Sequence, residues 1–200
     1  ASIATATHYC QQHFPKETLA FIPSDQYLLN PKQWLTDMKK ITQHIDPSLL
    51  TLLGVAPRSA HSGFGYIQKD EALNYGFKVN AYIEKPAPAL AEKFFNDPSY
   101  YWSCGTFLGL AKTFLDAFSQ LNPTLTKQCQ QALELGTHQD QQVSLDKASY
   151  EKCLAKSFDF EIVENHHPLA VAELTSGWLD IGTHEGLSEA LKHFQEHSKT

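Results

Sequence analysis

Glu84, Lys85 and Pro86 put an acid, a base and a stiff residue in succession at the end of an extended run, NAYIEKPAP. A carboxylate accepts hydrogen bonds from hydroxyls, an ammonium is a point charge for an anion, and proline stops further strand pairing. The pair suits a ligand that carries both hydroxyls and a phosphate, although two turns around a solvated charge pair would use the same residues. Upstream, in GFGYI, Gly63 and Gly65 bracket Phe64 where a missing Cβ lets backbone approach a ligand or take positive φ. Downstream, SYYWSCGTF sets Trp102 ahead of the small residues Ser103, Cys104 and Gly105. The chain is organised around this stretch, Gly63 to Gly105.

Two aspartates stand outside it. Asp25 follows the apolar run Leu19-Ala20-Phe21-Ile22 and the turn residues Pro23-Ser24. A continuous apolar run predicts a central strand buried on both faces of a parallel sheet, and ligands gather at the carboxyl ends of such strands. A turn cap is the other reading of Asp25. Asp180 lies between Leu179 and Ile181 in WLDIG, just after Ser176-Gly177 and just before a final helix, His184 to Phe194. A carboxylate so flanked is partly buried and needs a partner. No Lys or Arg is close in sequence, which leaves a metal ion or a helix N-terminus.

The elements that must hold these groups follow from periodicity. Ala1 to Phe14 is a helix, and Pro31 to Ile45 an amphipathic one with Trp34, Leu35, Met38 and Ile41 on its core face. Leu49 to Val55 is a buried strand, and a polar loop with Arg58 and His61 leads to Tyr66-Ile67. Gly76 to Glu84 is the next strand, alternating at Phe77, Val79 and Ala81. Pro88 to Phe95 is a helix that turns Leu90, Ala91 and Phe94 inward. After a strand at Gly105 to Leu110, Asn122-Pro123 separates helices Lys112 to Leu121 and Pro123 to Leu135. Gly136 to Gln142 is a loop, and Ser144 to Leu154 a short helix with Ser144 as its N-cap. Phe158 to Val163 and Leu169 to Leu174 form a strand pair.

At 200 residues the chain suits one α/β domain or a large half of a longer protein. A formal charge of −6 and the lack of a Lys/Arg run argue against a nucleic-acid surface. Cys10, Cys104, Cys129 and Cys153 make no CxxC pair, so they read as reduced thiols of a cytoplasmic protein. No apolar run approaches the about 20 residues of a membrane span. His166-His167 precedes a proline and fits no HExxH pattern, so the pair reads as surface.

IPSD, GFGYI, EKP, WSCGTF, SLDKASYEK and WLDIG occur here in one order and spacing. In that order they resemble the nucleotidyltransferase domain of the nucleotide-sugar pyrophosphorylases, most of all the bacterial mannose-1-phosphate guanylyltransferases. The resemblance implies an α/β fold, Rossmann-like, with a mixed, mostly parallel sheet flanked by helices. It implies an enzyme that joins mannose 1-phosphate to GTP, giving GDP-mannose and pyrophosphate with Mg²⁺. Asp25 and Asp180 match the metal-holding aspartates, and Lys85 the base on the sugar phosphate, the three forming the catalytic set. Glu84 matches the acid on the sugar hydroxyls, Gly63 and Gly65 the glycines against the sugar, and Ser103 a sugar contact. Asp146 and Lys152 match positions at the sugar-phosphate end.

Three departures weaken the match. WSCG stands where the family has WNSG, Gln26 where it has histidine, and Lys147 where it has an aromatic. The family's glycine-rich loop is expected upstream of Ala1. Residues 1–200 therefore read as a partial nucleotidyltransferase domain, truncated at the N-terminus and weakly active or inactive, whose exposed sheet edge could drive homodimerisation. A degenerate relative that only binds a sugar phosphate or a protein partner stays open, as does a pyrophosphorylase for another sugar phosphate or nucleotide.

Overall fold

The computed structural model describes residues 1–140 and 142–197. In chain order the elements are α1 (Ser2–His13), β1 (Thr18–Phe21), β2 (Gln26–Leu28), α2 (Pro31–His44), β3 (Leu50–Val55), β4 (Tyr66–Leu73) and β5 (Gly76–Ile83). There follow α3 (Pro88–Phe95), β6 (Tyr100–Leu110), α4 (Ala111–Leu121), α5 (Pro123–Glu134), β7 (Thr137–Gln139), β8 (Gln142–Ser144) and α6 (Lys147–Tyr150). A π-helical turn (Asp159–Val163), β9 (Leu169–Glu173), β10 (Trp178–Asp180) and α7 (His184–His197) complete them. The class is α/β, with a mixed sheet in the order β1-β6-β3-β9-β5-β4 and flanking helices. The pairings β1–β6, β6–β4, β4–β5 and β5–β9 are antiparallel. No described helix is long and apolar enough to cross a membrane.

Two compact units divide the chain. The first is Ala1–Phe21, Asp46–Thr51 and Phe107–Leu169; the second is Ile22–Ile45, Leu52–Thr106 and the described residues from Ala170 on.

In the first unit, Phe158 gathers Phe107 and Phe118, with ring centroids at 4.8 and 5.4 Å. The expected strand at Phe158 to Val163 is instead the π-helical turn, in which Ile162 and Val163 are fully buried and Phe160 is exposed. Phe158, Ile162 and Val163 face one way only with a helical period, and a short apolar run does not declare its period. The run at Leu19 to Ile22 is also corrected. Among the described residues β1 has one partner, β6, with Ala20 and Ile22 exposed, so it is not a central buried strand. The expected loop at Gly136 to Gln142 is the β7–β8 hairpin, with Gln141 outside the described residues. α6 is shorter than expected, and its N-cap is Asp146, whose Oδ1 accepts from Ser149 N at 2.9 Å, not Ser144.

Two histidines of this unit make its stability pH-dependent. His166, expected at the surface, is buried instead, and burial pushes its imidazole below its ordinary range, helped by His167 and opposed by Asp116. Burial also lowers His8, against a hydrogen bond to the Thr126 carbonyl and the charge of Glu134. The unfolded chain takes up these protons first, so stability is flat above about pH 6.5 and falls as pH drops from there toward the lower folded values. Urea titrations at about pH 7.5 and about pH 5 check this: His166→Gln is expected to reduce the loss on acidification, and an unchanged loss would remove His166 as a cause.

β3 is buried along its whole length, as a mostly apolar run predicts; Thr51 is its one polar member, and residues 52–55 belong to the second unit. β4 and β5 form a hairpin, and β4 pairs β6 on its other edge. The core face of α2 differs from expectation: Leu35 is 54% exposed, and Asp37 is buried beside Ile41. The Leu90 side of α3 is likewise exposed, with Ala91 and Phe94 inside. Asp37 is satisfied by Thr175 N at 2.8 Å, Ser176 N at 3.1 Å, Thr175 Oγ1 at 3.0 Å and Gln33 Nε2 at 2.8 Å. One carboxylate thus ties α2 to the turn that leads into β10. Asp37→Ala strands two backbone donors, and a loss of about 2 kcal/mol is expected in urea denaturation. A change below about 0.5 kcal/mol would show that the turn holds without it.

Candidate functional site

The register of β5, β4 and β6 brings the three motifs of the central stretch together. Tyr66 lies opposite Ile83 on one side and Trp102 on the other. Because both pairings are antiparallel, Gly65, Glu84 and Ser103 fall next to one another just past the ends of β4 and β5, with β6 running on beyond them. Ser103 N donates to the Gly65 carbonyl at 2.8 Å, extending the row by one bond. Gly65 is required there: a Cβ would run into Tyr82 Oη and lie 2.8 Å from Glu84 Oε2. Those two groups are themselves bonded, Tyr82 Oη–H donating to Glu84 Oε2 at 2.8 Å. Ser103 is buried, and its Oγ accepts from Gly105 N at 3.2 Å, so the hydroxyl is spent inside β6 on the backbone at Gly105, whose φ is 64°.

Lys85 leaves the row in a strained conformation. Its φ is 46°, in the left-handed region although it is not glycine, and Pro86 follows. Such a residue stores about 1–3 kcal/mol. Its Nζ lies 3.3 Å from Glu84 Oε1, the lysine side chain being 64% exposed and the glutamate 18%. A pair so exposed on one side adds little to stability but keeps a cation beside the carboxylate. Gly63 stands apart: its N–H donates to His61 Nδ1 at 3.0 Å. Between the two glycines, Phe64 packs on Trp102 and Trp178 at 5.1 and 5.4 Å.

The two aspartates meet through a separate ladder. β2 and β10 pair with Asp180 opposite Gln26, and Ile181 N donates to the Asp25 carbonyl at 2.9 Å. Asp180 Oδ1 accepts from Gly182 N at 2.8 Å. A Cβ on Gly182 would fall 2.8 Å from Asp25 Oδ2 and 3.1 Å from Asp180 Oδ1. The two carboxylates therefore converge on one small space that glycine leaves open. Asp180 is half-buried, as expected, while Asp25 is exposed. Among the described residues no set of three or more His, Cys, Asp or Glu could hold a metal. Two hard oxygen donors alone are a poor transition-metal site. They suit Mg²⁺, which keeps waters and shares phosphate oxygens.

A cation near Asp180 was not legible in sequence. Arg58 supplies it across the fold, lining a cavity of about 200 Å³ with Asp180, His61, Trp102 and Trp178. Its Nη1 pairs with Glu189 Oε1 at 3.0 Å, and its Nη2 lies 3.4 Å from the Trp178 carbonyl. Gln26, where the family has histidine, uses its Nε2 to donate to the Cys104 carbonyl. Cys104 is fully buried, its thiol pushed up by burial, and fills space as expected.

Asp146 and Lys152 belong to the first unit. The Asp146 carboxyl is lowered by its hydrogen bonds to Ser149, the bonds of a helix cap, and Lys152 is exposed just after α6.

Comparison with known proteins shows the family. The nucleotidyl transferase family profile matches residues 1–197. A putative mannose-1-phosphate guanylyltransferase of Vibrio cholerae is 25% identical over 189 residues, 94% of this chain and 41% of that protein. The mannose-1-phosphate guanylyltransferase RfbM of Salmonella typhimurium is 30% identical over 139 residues, 69% of this chain and 29% of that protein. The chain thus spans about two-fifths or less of these relatives' lengths. The crystal structure described as mannose-1-phosphate geranyltransferase from Thermus thermophilus superposes with a TM-score of 0.81 over 94% of this chain and 54% of that one, at 18% identity, which speaks to fold. The profile, matched from the first helix to the last, and these relatives agree: the chain belongs to the nucleotidyl transferase family, among the nucleotide-sugar pyrophosphorylases.

Proposed function

We propose that this protein transfers GMP from GTP to mannose 1-phosphate, releasing pyrophosphate. The observation that carries the reading is the register row, in which Gly65, Glu84 and Ser103 stand side by side with Lys85 at its exit. The printed names of the curated relatives support the choice of mannose 1-phosphate and the guanylyl group.

In this reading Glu84 accepts hydrogen bonds from sugar hydroxyls, its carboxylate oriented by Tyr82. The Gly65 backbone lies against the sugar, where a side chain would displace that carboxylate. Lys85 places its ammonium on the sugar phosphate, and its left-handed backbone aims it out of β5. A sugar-phosphate oxygen attacks the α-phosphorus of the nucleotide in line; a P–O bond forms, the α–β bridge breaks, and pyrophosphate departs. Holding the two reactants in line is the larger share of the catalysis. Asp25 and Asp180 would hold Mg²⁺, which when bound offsets charge on the phosphates. Asp146 and Lys152 are proposed at the sugar-phosphate end on the resemblance alone.

A second reading is binding without turnover. It is favoured by Ser103 and Gln26, whose polar groups are spent on internal bonds. Isothermal titration of mannose 1-phosphate with and without Mg²⁺, paired with an assay of GDP-mannose formation, separates the two. Metal-dependent binding together with product supports transfer. Binding without product, even at high enzyme concentration, favours the second reading, and no binding at all overturns both.

A further inference from the structure

Cys129 and Cys153 bring two sulfurs together for which the proposed reaction has no use. Cys129 sits on α5 and is fully buried; Cys153 lies three residues beyond α6 and is half-buried. Their Sγ atoms are 3.8 Å apart across 24 residues of chain. Both belong to the first unit, and neither is near a metal-like cluster of His, Cys, Asp or Glu among the described residues. Among the described residues each thiol otherwise meets a weak acceptor, the Ala1 carbonyl at 3.6 Å for Cys129 and the Ser149 carbonyl at 3.9 Å for Cys153. Cys153 is outside any helix, in the short turn that Cys153 N closes on the Tyr150 carbonyl at 3.0 Å, so its side chain can swing without breaking a helical ladder.

We propose that Cys129 and Cys153 are a redox modification site, a dithiol that peroxides convert to a disulfide clamping the Lys152 segment to α5. The distance to close is small: a disulfide needs sulfurs about 2.0 Å apart, and the pair is already in contact. Cys153 is the attacking sulfur because it is the one that solvent reaches. Its thiolate attacks a peroxide oxygen; an S–O bond forms, the O–O bond breaks, and one water leaves after proton transfer. Cys129 sulfur then attacks the sulfenic sulfur; the S–S bond forms, the S–O bond breaks, and a second water leaves with the Cys129 proton. The two thiols lose two protons and two electrons in total, and one hydrogen peroxide becomes two waters. Burial and the neighbouring Cys129 push the Cys153 thiol up to about 11. Little thiolate is present at neutral pH, which keeps the pair reduced until oxidant is sustained.

The consequence is mechanical and independent of the proposed function. Lys147, Lys152 and Lys156 flank Cys153 and are exposed, so the segment is open to trypsin in the reduced protein. The disulfide anchors it to a helix whose inner face is buried at Leu125, Cys129, Ala132 and Leu133.

The test begins with fully reduced protein, treated with hydrogen peroxide, then alkylated under denaturing conditions and mapped by mass spectrometry. A linked pair of tryptic peptides, Gln128–Lys147 joined to Cys153–Lys156, is expected, with the intact chain lighter by two hydrogens. Dithiothreitol should restore both thiols, and Cys10→Ser should leave the linkage intact. Native trypsin cleavage after Lys152 should slow roughly tenfold on oxidation, because the segment must open to be cut. Cys153→Ser, at a half-buried position, should abolish both the mass change and the protection. The proposal is overturned if Cys129 stays alkylable while Cys153 proceeds to sulfinic acid, or if the linkage joins two chains.

Discussion

Asp180→Asn is expected to lower nucleotidyl transfer by roughly 10²–10³-fold in kcat with the fold intact, the range seen when a group that stabilises transition-state charge is removed. The substitution separates structure from charge. Asp180 Oδ1 accepts from Gly182 N at 2.8 Å, and asparagine keeps an oxygen in that place, so the turn between β10 and α7 is retained. What is lost is one of the two negative oxygens that converge on the space beside Gly182. A single carboxylate, Asp25, would remain there. If the pair holds Mg²⁺, the concentration of magnesium needed for half-maximal rate should also rise, since one of two charged ligands is gone. Steady-state rates across a magnesium titration, alongside circular dichroism and urea denaturation, provide the check. A rate within about threefold of wild type at every magnesium concentration would remove Asp180 from the chemistry, and an unfolded variant would be seen in the denaturation. Asp25→Asn should show the same pattern.

The same site shows how far residue types and spacing carry. Gly65, Glu84 and Lys85 stood out because they flank strands β4 and β5, and Ser103 because small residues follow a tryptophan there; the structure sets Gly65, Glu84 and Ser103 in one row with Lys85 just beyond it. Asn122-Pro123 marked its helix break for a local reason, the Asn122 side chain accepting from Leu125 N at 2.9 Å. Other features depend on partners far along the chain. Asp37 drew no reading although it is three residues from Trp34 and four from Ile41 on the same helix face, because only the distant turn at Thr175 and Ser176 makes a buried carboxylate there sensible. Arg58 reaches the Asp180 cavity from a loop 120 residues before Trp178, and no local pattern announces that. The run at Phe158 failed for a different reason: five or six apolar-rich residues support a strand or a helical turn equally, and packing against Phe107 and Phe118 decided it. Most of β4 drew no reading, because Gln68, Lys69, Asp70 and Glu71 break the apolar pattern after Tyr66-Ile67. In the fold Lys69 lies over the Tyr101 ring at 4.2 Å, and Glu71 pairs with Lys78 across the hairpin at 2.7 Å.

Gly65→Ala tests the row itself, and a loss of about 10²-fold in kcat/KM for the sugar phosphate is expected from displacing a binding group by about 1 Å. The added methyl would occupy the place of the Tyr82–Glu84 contact, lying 2.8 Å from Glu84 Oε2 and closer still to Tyr82 Oη. Gly65 cannot retreat, because its carbonyl accepts from Ser103 N at 2.8 Å and its neighbour Tyr66 is held between Ile83 and Trp102. Glu84 is the group that must move, and with it the acceptor proposed for the sugar hydroxyls. Overpacking of this kind also costs about 1–3 kcal/mol of stability. The cause is separable by a double-mutant cycle with Tyr82→Phe, which deletes the oxygen that the methyl meets first. If the clash is the mechanism, Gly65→Ala should cost less stability in the Tyr82→Phe background than in the wild type. The sugar-phosphate KM should nevertheless stay high in the double variant, since Glu84 has then lost the hydroxyl that orients it. Additive stability losses would mean that the methyl strains the backbone instead. A wild-type KM in Gly65→Ala would place the sugar somewhere other than against this row.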